Sequence, residues 1–528
     1  MNRTVPFRSI YSNDTTHLEN CTSPYRGKGE DYRREFLFES VREVEGYADA
    51  HFIQLAHGQV PWYQSRIYPF TEHLKWWSVF FDVPMEELNA LGGINGYVRD
   101  GGDLLRDFIE ACRQYHQAAF VSIRLNDEHH VEWCDKKGHT NGIHSISRFL
   151  MEHSYLMFGG DLRQWRNRAM NWIYPEAPQR MLDLIAEQCE NYDIDGFELD
   201  FMRFPHFFDV NSTTSEQRQE IMERFLSEVR AILDRTQRGD RHRYLCVRVP
   251  STLRLWDHIG LVPERLKPLG VEMVNVSSHY HLDQWIDHRA FVERMPDLAV
   301  FFEVCHCTVT GVVLNDKGYD NFIFRRSTPN EIYSAAHLAY TAGAQGMSYF
   351  NFVYYREHGS EGRGPFNEPP FHAIGNAKDP SFVARAPQHF FVGRIWGEKT
   401  QLFHPLRVGE PCRCEIYMKP PAEGWQGDFR FRVMAAAPMG DRSFEVTFNG
   451  VRALPVADLS EPYEEDNAYV PMHGTTENSR AWRIPLEAVR SGKNIFTLKW
   501  ESEECTEPIS ISYADIFPYE DPVKGGME

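Results

Sequence analysis

Residues 193–205 read DIDGFELDFMRFP, and Glu198 and Asp200 stand inside an otherwise apolar run. Burying an unpaired carboxylate is expensive, so an apolar strand that carries two of them should have a use for them. In an extended strand the period of two puts Glu198, Asp200 and Met202 on one face and Phe197, Leu199 and Phe201 on the other. The apolar face suits packing against helices. The acidic face then looks into whatever the strand encloses, with Asp200 nearer the C-terminal end and Glu198 about one layer deeper. Carboxyl groups so placed can exchange protons or attack an electrophilic carbon.

The elements that must position them recur along the chain. Between about residues 6 and 390, eight short runs are rich in β-branched and aromatic residues: PFRSIYSN, HFIQLAHG, AAFVSIRLND, DGFELDFM, YLCVRVPS, VEMVNVSSH, LAVFFEVCH and GMSYFNFVY. They are mostly apolar on both faces, as parallel strands covered by helices are. Helical patterns lie between them. Asp31 to Val44 and Asp103 to Arg113 are two. Thr213 with Glu216 caps a third, whose stripe is Ile221, Phe225, Val229 and Ile232. Thr328-Pro329-Asn330-Glu331 combines a cap, a proline at the first helical position and a capping-box acid. Eight strand–helix units in one run predict an α/β chain built on a (β/α)₈ TIM barrel. Its long loops, 57–75, 127–175, 305–327 and 354–385, follow strands and so lie on the C-terminal face.

After about residue 397 the texture becomes short alternating runs (CRCEIYM, FRFRVMAA, SFEVTFNGV, AWRIPL, NIFTLKW, ISISYADIFP) broken by turns such as Asn449-Gly450. This predicts an antiparallel β-sandwich. The expected division is a barrel over 1–395 and a sandwich over 396–528. LEAVRSGKNIFTLKW resembles the closing strands of galactose-binding-like jelly rolls, which implies a sugar-binding or purely packing module.

DGFELD resembles the fourth-strand motifs of TIM-barrel glycoside hydrolases. It is similar to the alpha-amylase superfamily pattern Asp-Gly-apolar-Arg-apolar-Asp; the last Asp, the nucleophile of that pattern, falls on Asp200, and Glu198 replaces the Arg. It also resembles the chitinase pattern Asp-Gly-x-Asp-x-Asp-x-Glu, but that motif's catalytic Glu falls on Met202. The whole string looks most like the glycosyl-hydrolase-like barrel proteins of bacteria. The resemblance implies cleavage of glycosidic bonds in an oligo- or polysaccharide.

Such hydrolysis uses two carboxyl groups across the scissile bond. The fifth strand offers Arg248 and no acid. The seventh offers Glu303 in AVFFEVCH. A pair on strands four and seven resembles the largest clan of retaining barrel glycosidases, although the Asn-Glu pair of that clan is missing from strand four. The expected catalytic set is therefore Asp200 with Glu303, and Glu198 as a third carboxyl. Buried ion pairs with Arg203 or Arg248 are the structural alternative for Glu198 and Asp200. Sugar-binding positions are expected at the strand ends: Asn13, Asp14, His57, Arg124, Asn126, Asp127, Arg203, His279, His281 and Asn351. His129-His130 reads as an ordinary loop pair.

Composition bounds the partners. The 528 residues carry 56 Lys plus Arg against 75 Asp plus Glu, a net charge of −19, which disfavours nucleic acid and anionic membranes. Aromatics reach 14%, and Trp62, Tyr63, Trp76, Trp77, Trp133, Trp165, Trp172, Trp256 and Trp285 are expected after strand ends, where indoles such as Trp62 and Trp285 could stack on sugar rings. No apolar run reaches the roughly 18–20 residues of a membrane helix. No signal peptide is read at the start of this sequence, so a cytoplasmic chain and a periplasmic or secreted chain with its leader removed are both compatible. Cys305-His306-Cys307 is the one metal-like cluster and lacks a partner at zinc spacing, so neither metal nor cofactor is expected. A homodimer is compatible with the sequence. The rival to an enzyme is a catalytically silent carbohydrate-binding barrel. A third reading, a metal-dependent barrel hydrolase, would use His279, His281 and the acids.

Overall fold

The computed structural model describes residues 5–21, 23–26, 30–55, 59–279, 281–309, 324–356, 368–393, 402, 405–435, 437–460, 477–501 and 507–519. Each of the eight expected runs contains a strand: β1 Ser9–Asp14, β2 Ala50–Gln54, β3 Ala118–Arg124, β4 Gly196–Asp200, β5 Tyr244–Pro250, β6 Met273–Ser277, β7 Ala299–Cys305 and β8 Gly346–Phe350. They close into one barrel in the order β1-β8-β7-β6-β5-β4-β3-β2. Pairing is parallel at each junction from β1 to β7.

The connecting helices include α1 Arg34–Arg42, α2 Leu104–Gln114, α3 Glu176–Asn191, α4 Ser215–Arg235, α5 His288–Arg294, α6 Pro329–Ala342 and α7 Phe371–Ala377. Asp103 caps α2 through the Arg106 amide. Thr328 and Glu331 form the capping box of α6, with Pro329 in its first turn. Two expectations need correction. The box of α4 is Thr214 with Gln217, not Thr213 with Glu216, because the Thr213 hydroxyl turns to the Asp209 carbonyl. The connection after β5 carries three 3₁₀ turns, Leu253–Leu255, Asp257–Ile259 and Pro263–Arg265, in place of an α-helix. Gly260 interrupts any helix there: it adopts φ 75, and a Cβ would run into the Arg218 backbone.

The chain divides into two compact units, residues 1–277 with 290–302, and residues 278–289 with 303–528. In the first, the inward residues of the N-terminal strand ends make an apolar floor of Ile10, Ala50, Phe52, Phe120, Cys246, Met273, Ala299 and Phe301, together with Val5 and Phe7. Phe52 and Phe120 stack at 4.4 Å, and Phe7 meets Phe120 edge-on at 5.5 Å. This fixes the pleat of each strand. Residues two and four further along then point into the barrel as well.

The second unit contains β8, α6, a short antiparallel pair of Cys307–Val309 with Phe324–Arg326, and two larger antiparallel sheets. The strands of the two larger sheets are β9 Phe390–Val392, β10 Pro411–Met418, β11 Asp428–Ala435, β12 Phe444–Phe448, β13 Val451–Arg452, β14 Leu454–Val456, β15 Ser479–Ile484, β16 Gly492–Trp500 and β17 Ile511–Tyr519. The five-stranded sheet runs β9-β17-β11-β15-β14 and the four-stranded sheet β10-β16-β12-β13. Their inward residues, among them Ile416, Phe431, Val446, Phe496, Leu498 and Trp500, form one core, as a sandwich requires. Polar ties draw α6 and residues 278–289 into this unit. Gln284 donates to the carbonyls of Glu331 and His389 and accepts from the Phe391 amide. His389 and Arg432 both hold the buried Asp515.

Gly196 opens β4 where the floor is tightest. A Cβ there would overlap the Phe120 ring, which its stack on Phe52 holds in place. Gly196→Ala should therefore destabilise the barrel by roughly 1–3 kcal/mol through overpacking. Urea unfolding of the two proteins checks this, and equal midpoints would refute the packing account.

Candidate functional site

Above the floor the barrel of the first unit turns polar in two layers. The deeper one is built on β3, β4 and β6 by Ser122, Glu198 and Asn275, all buried. Ser122 donates to Glu198 Oε1 at 2.7 Å and Asn275 Nδ2 to Oε2 at 3.2 Å. The Cys246 thiol approaches the same oxygen at 3.6 Å. Burial, and after it the charge of Asp200, pushes the Glu198 carboxyl up to about 7. Glu198 therefore holds a proton well above the ordinary carboxylate range, while hydrogen bonds orient both its oxygens.

The upper layer lies at the strand ends. Register pairs Asp14 with Gln54, Arg124 with Asp200 and Asp200 with Arg248. Asp200 is fully buried. Its Oδ1 accepts the backbone amides of Met202 at 2.9 Å and Arg203 at 3.0 Å. Its Oδ2 meets Arg248 Nη1 at 2.8 Å and Gln54 Nε2 at 3.5 Å. Arg248 also donates to Ser277 at 2.9 Å. Arg124 donates to Gln54 Oε1 at 2.6 Å, to Asp127 at 2.9 Å, and closely to Asp14.

The chain of contacts continues through the loops. Asp127 pairs closely with His129 Nδ1, and Arg203 Nη2 lies 2.9 Å from His129 Nε2. Arginine can only donate, so His129 Nε2 accepts and its proton sits on Nδ1, facing Asp127. Asp14, Arg124, Asp127, His129 and Arg203 thus form one string beside Asp200.

The fold brings together Asp14, Arg124, Asp127, Arg203, Glu198 and Asp200 of the expected positions. Others have different tasks. Asn13 is paired with Ile53, so it shares the outward, helix-facing side of its strand. Asn126 is a loop clip: Nδ2 donates to the Met170 and His206 carbonyls, and Oδ1 accepts the Met170 amide. Trp62 is fully buried, with its indole N–H on Asn95. His57 lies outside the described residues.

The remaining expected positions belong to the second unit. Glu303 is buried, and the period of β7 puts it on the strand face of Ala299 and Phe301. His281 is buried and its imidazole is pushed down to about 3 by desolvation. His279 and Asn351 adopt left-handed φ of 67 and 55, and Asn351 begins the 3₁₀ turn Phe352–Tyr355. Trp285 is half-buried, with its backbone amide on Asp283. Cys305 donates to the Phe350 carbonyl, and burial raises the Cys307 thiol to about 12. Among the described residues no group of three His, Cys, Asp or Glu side chains is arranged to hold a metal.

The aromatic expectation changes most. Trp62, Trp77, Trp172 and Trp256 are sealed inside the protein. Trp76 and Trp77 sit in a helix, Phe70–Phe81, not in a loop. Trp165 is the tryptophan exposed beyond a third among the described residues, at 40%. Sequence reasoning also missed Gln54, Ser122 and the role of His129. Gln54 shares the inward face of Phe52, so a polar residue at that spacing in an apolar strand was the available signal. Glu128 was missed as well. It is fully buried, its carboxyl is pushed well above the usual range by burial and the Asp127 charge, and Gln59 donates to it at 2.9 Å.

No protein-family profile and no curated protein matches this chain. Among solved structures, alpha-L-fucosidase isoenzyme 2 from Paenibacillus thiaminolyticus is similar over 71% of this chain and 49% of its own, at 12% identity and TM-score 0.39. The match thus spans about half of that fucosidase. The PgaB glycoside hydrolase domain from Bordetella bronchiseptica is similar over 71% of this chain and 99% of its own, at 10% identity and TM-score 0.42. An alpha-amylase from Geobacillus thermoleovorans matches over 94% and 98%, at 11% identity and TM-score 0.36. At these levels no reaction in those names transfers to this chain.

Glu198 couples stability to pH. Its folded value, about 7, lies above its ordinary 4.5, so the folded chain binds this proton more tightly than the unfolded one. That contribution is complete below about pH 4.5 and is lost as pH rises to about 7. Glu198→Gln should remove the dependence. Wild type should lose on the order of 3 kcal/mol relative to the variant across that window. Urea melts of both proteins across the window measure it, and parallel pH profiles would contradict the assignment.

Proposed function

We propose that the chain is a glycoside hydrolase that cleaves glycosidic bonds in an oligo- or polysaccharide by a two-carboxylate, retaining mechanism. One observation carries the reading. Two carboxyl groups share a face of β4, and their surroundings differ: Glu198 keeps a proton near neutral pH, while Asp200 forms a salt bridge with Arg248. Surroundings that differ in this way can give two carboxyls of one strand separate tasks.

Asp200, at the strand end, is the proposed nucleophile. Its carboxylate would attack the anomeric carbon as the bond to the leaving oxygen breaks. A second carboxyl, Glu303, would protonate that oxygen and then take a proton from the water that releases the sugar. Glu198 is the third carboxyl, held beneath Asp200. Asp14, Arg124, Asp127 and Arg203 supply charged groups that can meet sugar hydroxyls. Carbohydrate is accordingly the proposed partner.

A second reading has its own support. Both oxygens of Asp200 are already engaged, by two backbone amides, Arg248 and Gln54. A carboxylate so fully satisfied fits a silent sugar-binding barrel as well. Asp200→Asn and Glu303→Gln separate the two. In a hydrolase each should lower kcat on a cleaved oligosaccharide by roughly 10²–10⁴-fold with binding retained. Reducing-sugar release and calorimetric titration measure the two quantities. Unchanged kcat in both variants would remove the carboxylate pair.

A further inference from the structure

Residues 156–171 form a hairpin on the loop between β3 and α3. Its rungs are Met157 with Met170, the Phe158 amide on the Ala169 carbonyl, and the Gly159 amide on the Asn167 carbonyl. Asn126, next to the end of β3, clips the returning arm at Met170, and Arg168 is paired with Glu132. The returning arm is therefore tied at two places, to Asn126 just beyond β3 and to Glu132 in the loop that follows.

Trp165 stands near that tip, 40% exposed. It is not loose: its ring stacks on Phe204 at 4.9 Å and 20°. Phe204 follows Arg203, whose backbone amide is bound by Asp200. Phe204 holds φ 56, a left-handed conformation that a bulky aromatic rarely adopts. His129 lies 5.0 Å from the same ring and the Arg203 guanidinium 5.2 Å from it. An exposed indole is thus tied through one strained residue to the string of groups beside Asp200.

Of the nine large apolar residues exposed among the described residues, Tyr155, Trp165, Ile173, Tyr174 and Val210 all fall between 155 and 210. Tyr155 and Tyr174 meet edge-on at 5.7 Å at the base of the same hairpin.

We propose that Trp165, backed by Phe204, is a sugar subsite linked to Asp200 through the Arg203–Phe204 backbone. It takes a pyranose ring of a glycan chain, with the ring's apolar face on the indole face that Phe204 leaves open. The inference rests on the hydrolase reading for its neighbour and specifies the substrate: a chain of at least two sugar units, one of them lying on the hairpin side of the scissile bond. A rigid platform loses little freedom on binding, which favours this use of a clipped loop.

The test uses the full-length Asp200→Asn protein, so that nothing is cleaved, with cello-, xylo-, malto-, manno- and chito-oligosaccharides from dimer to hexamer as probes. Intrinsic tryptophan fluorescence reads binding. At least one series should bind and shift the emission. Adding Trp165→Ala should weaken that binding by about tenfold, the size of one aromatic stacking contact. Trp165→Phe should restore most of it. In the otherwise native chain, Trp165→Ala should raise KM on the bound oligosaccharide, and Trp165→Phe, which keeps a ring on Phe204, should restore both KM and any thermal midpoint lost with the stack.

Equal affinity with and without Trp165, or no binding across the series, overturns the subsite. The outcomes separate from those of the hydrolase reading. Binding through Trp165 with undiminished kcat in Asp200→Asn keeps the subsite and removes the nucleophile. Loss of kcat in Asp200→Asn with KM indifferent to Trp165 does the reverse.

Discussion

The salt bridge between Asp200 and Arg248, both sealed from solvent, is the interaction on which the upper barrel depends. Charges taken out of water must be matched, and removing one partner of such a pair leaves the other stranded at a cost of about 3–5 kcal/mol. The match is made by neighbouring strands in fixed register, so it holds only while the strands keep their pleat. That pleat is set lower down, where Phe52, Phe120 and the other floor residues pack. An apolar floor and a charged rim are thus one device. The floor selects which face of each strand looks inward, and the rim requires that the inward face present Gln54, Arg124, Asp200 and Arg248 together.

The same constraint organises the loops. Arg124 is claimed by Asp14 and Asp127, and Asp127 by His129, which accepts from Arg203. Each link satisfies a group that would otherwise be buried at a loss. The second unit repeats the solution with different residues: Asp515 is held between Arg432 and His389, and Tyr513 donates to Glu331 at the start of α6. In both units the fully buried carboxylates sit where separate elements meet and hold them to one another.

Much of this was legible in the residues. Eight apolar, β-branched runs are a local signal, and they became the eight barrel strands; the alternating runs after 397 became two antiparallel sheets. Glu198 and Asp200 were legible because acids in an apolar strand are conspicuous, and their inward face followed from the period of two. What escaped was non-local. Strand ends were read as polar without applying the pleat, so outward Asn13 was grouped with inward Asp14. His129 looked like loop because its partners, Asp127 and Arg203, meet only after β3 and β4 are aligned. The tryptophans were the hardest, since an indole in a loop has the same sequence signature whether it seals that loop or faces solvent. Trp172 and Trp165, seven residues apart, have opposite fates. The drawing of α6 into the sandwich unit had no local trace, because it depends on residues as far apart as Glu331 and Tyr513.

The rim is close to balanced in charge although the chain is acidic. Within the string and its anchor, Asp14, Asp127 and Asp200 are balanced by Arg124, Arg203 and Arg248, with His129 neutral between them. The excess of acid that gives the chain its −19 lies elsewhere. That balance holds only while Glu198 keeps its proton. An ionised Glu198 would add a buried charge one layer beneath Asp200, where Ser122, Asn275 and the Arg248 charge offset only part of the cost of burial. The raised value of Glu198 follows first from its burial and then from the charge of Asp200 above it. Arg248 is paired with Asp200 and offsets the burial of the deeper carboxyl only in part, so Glu198 holds its proton.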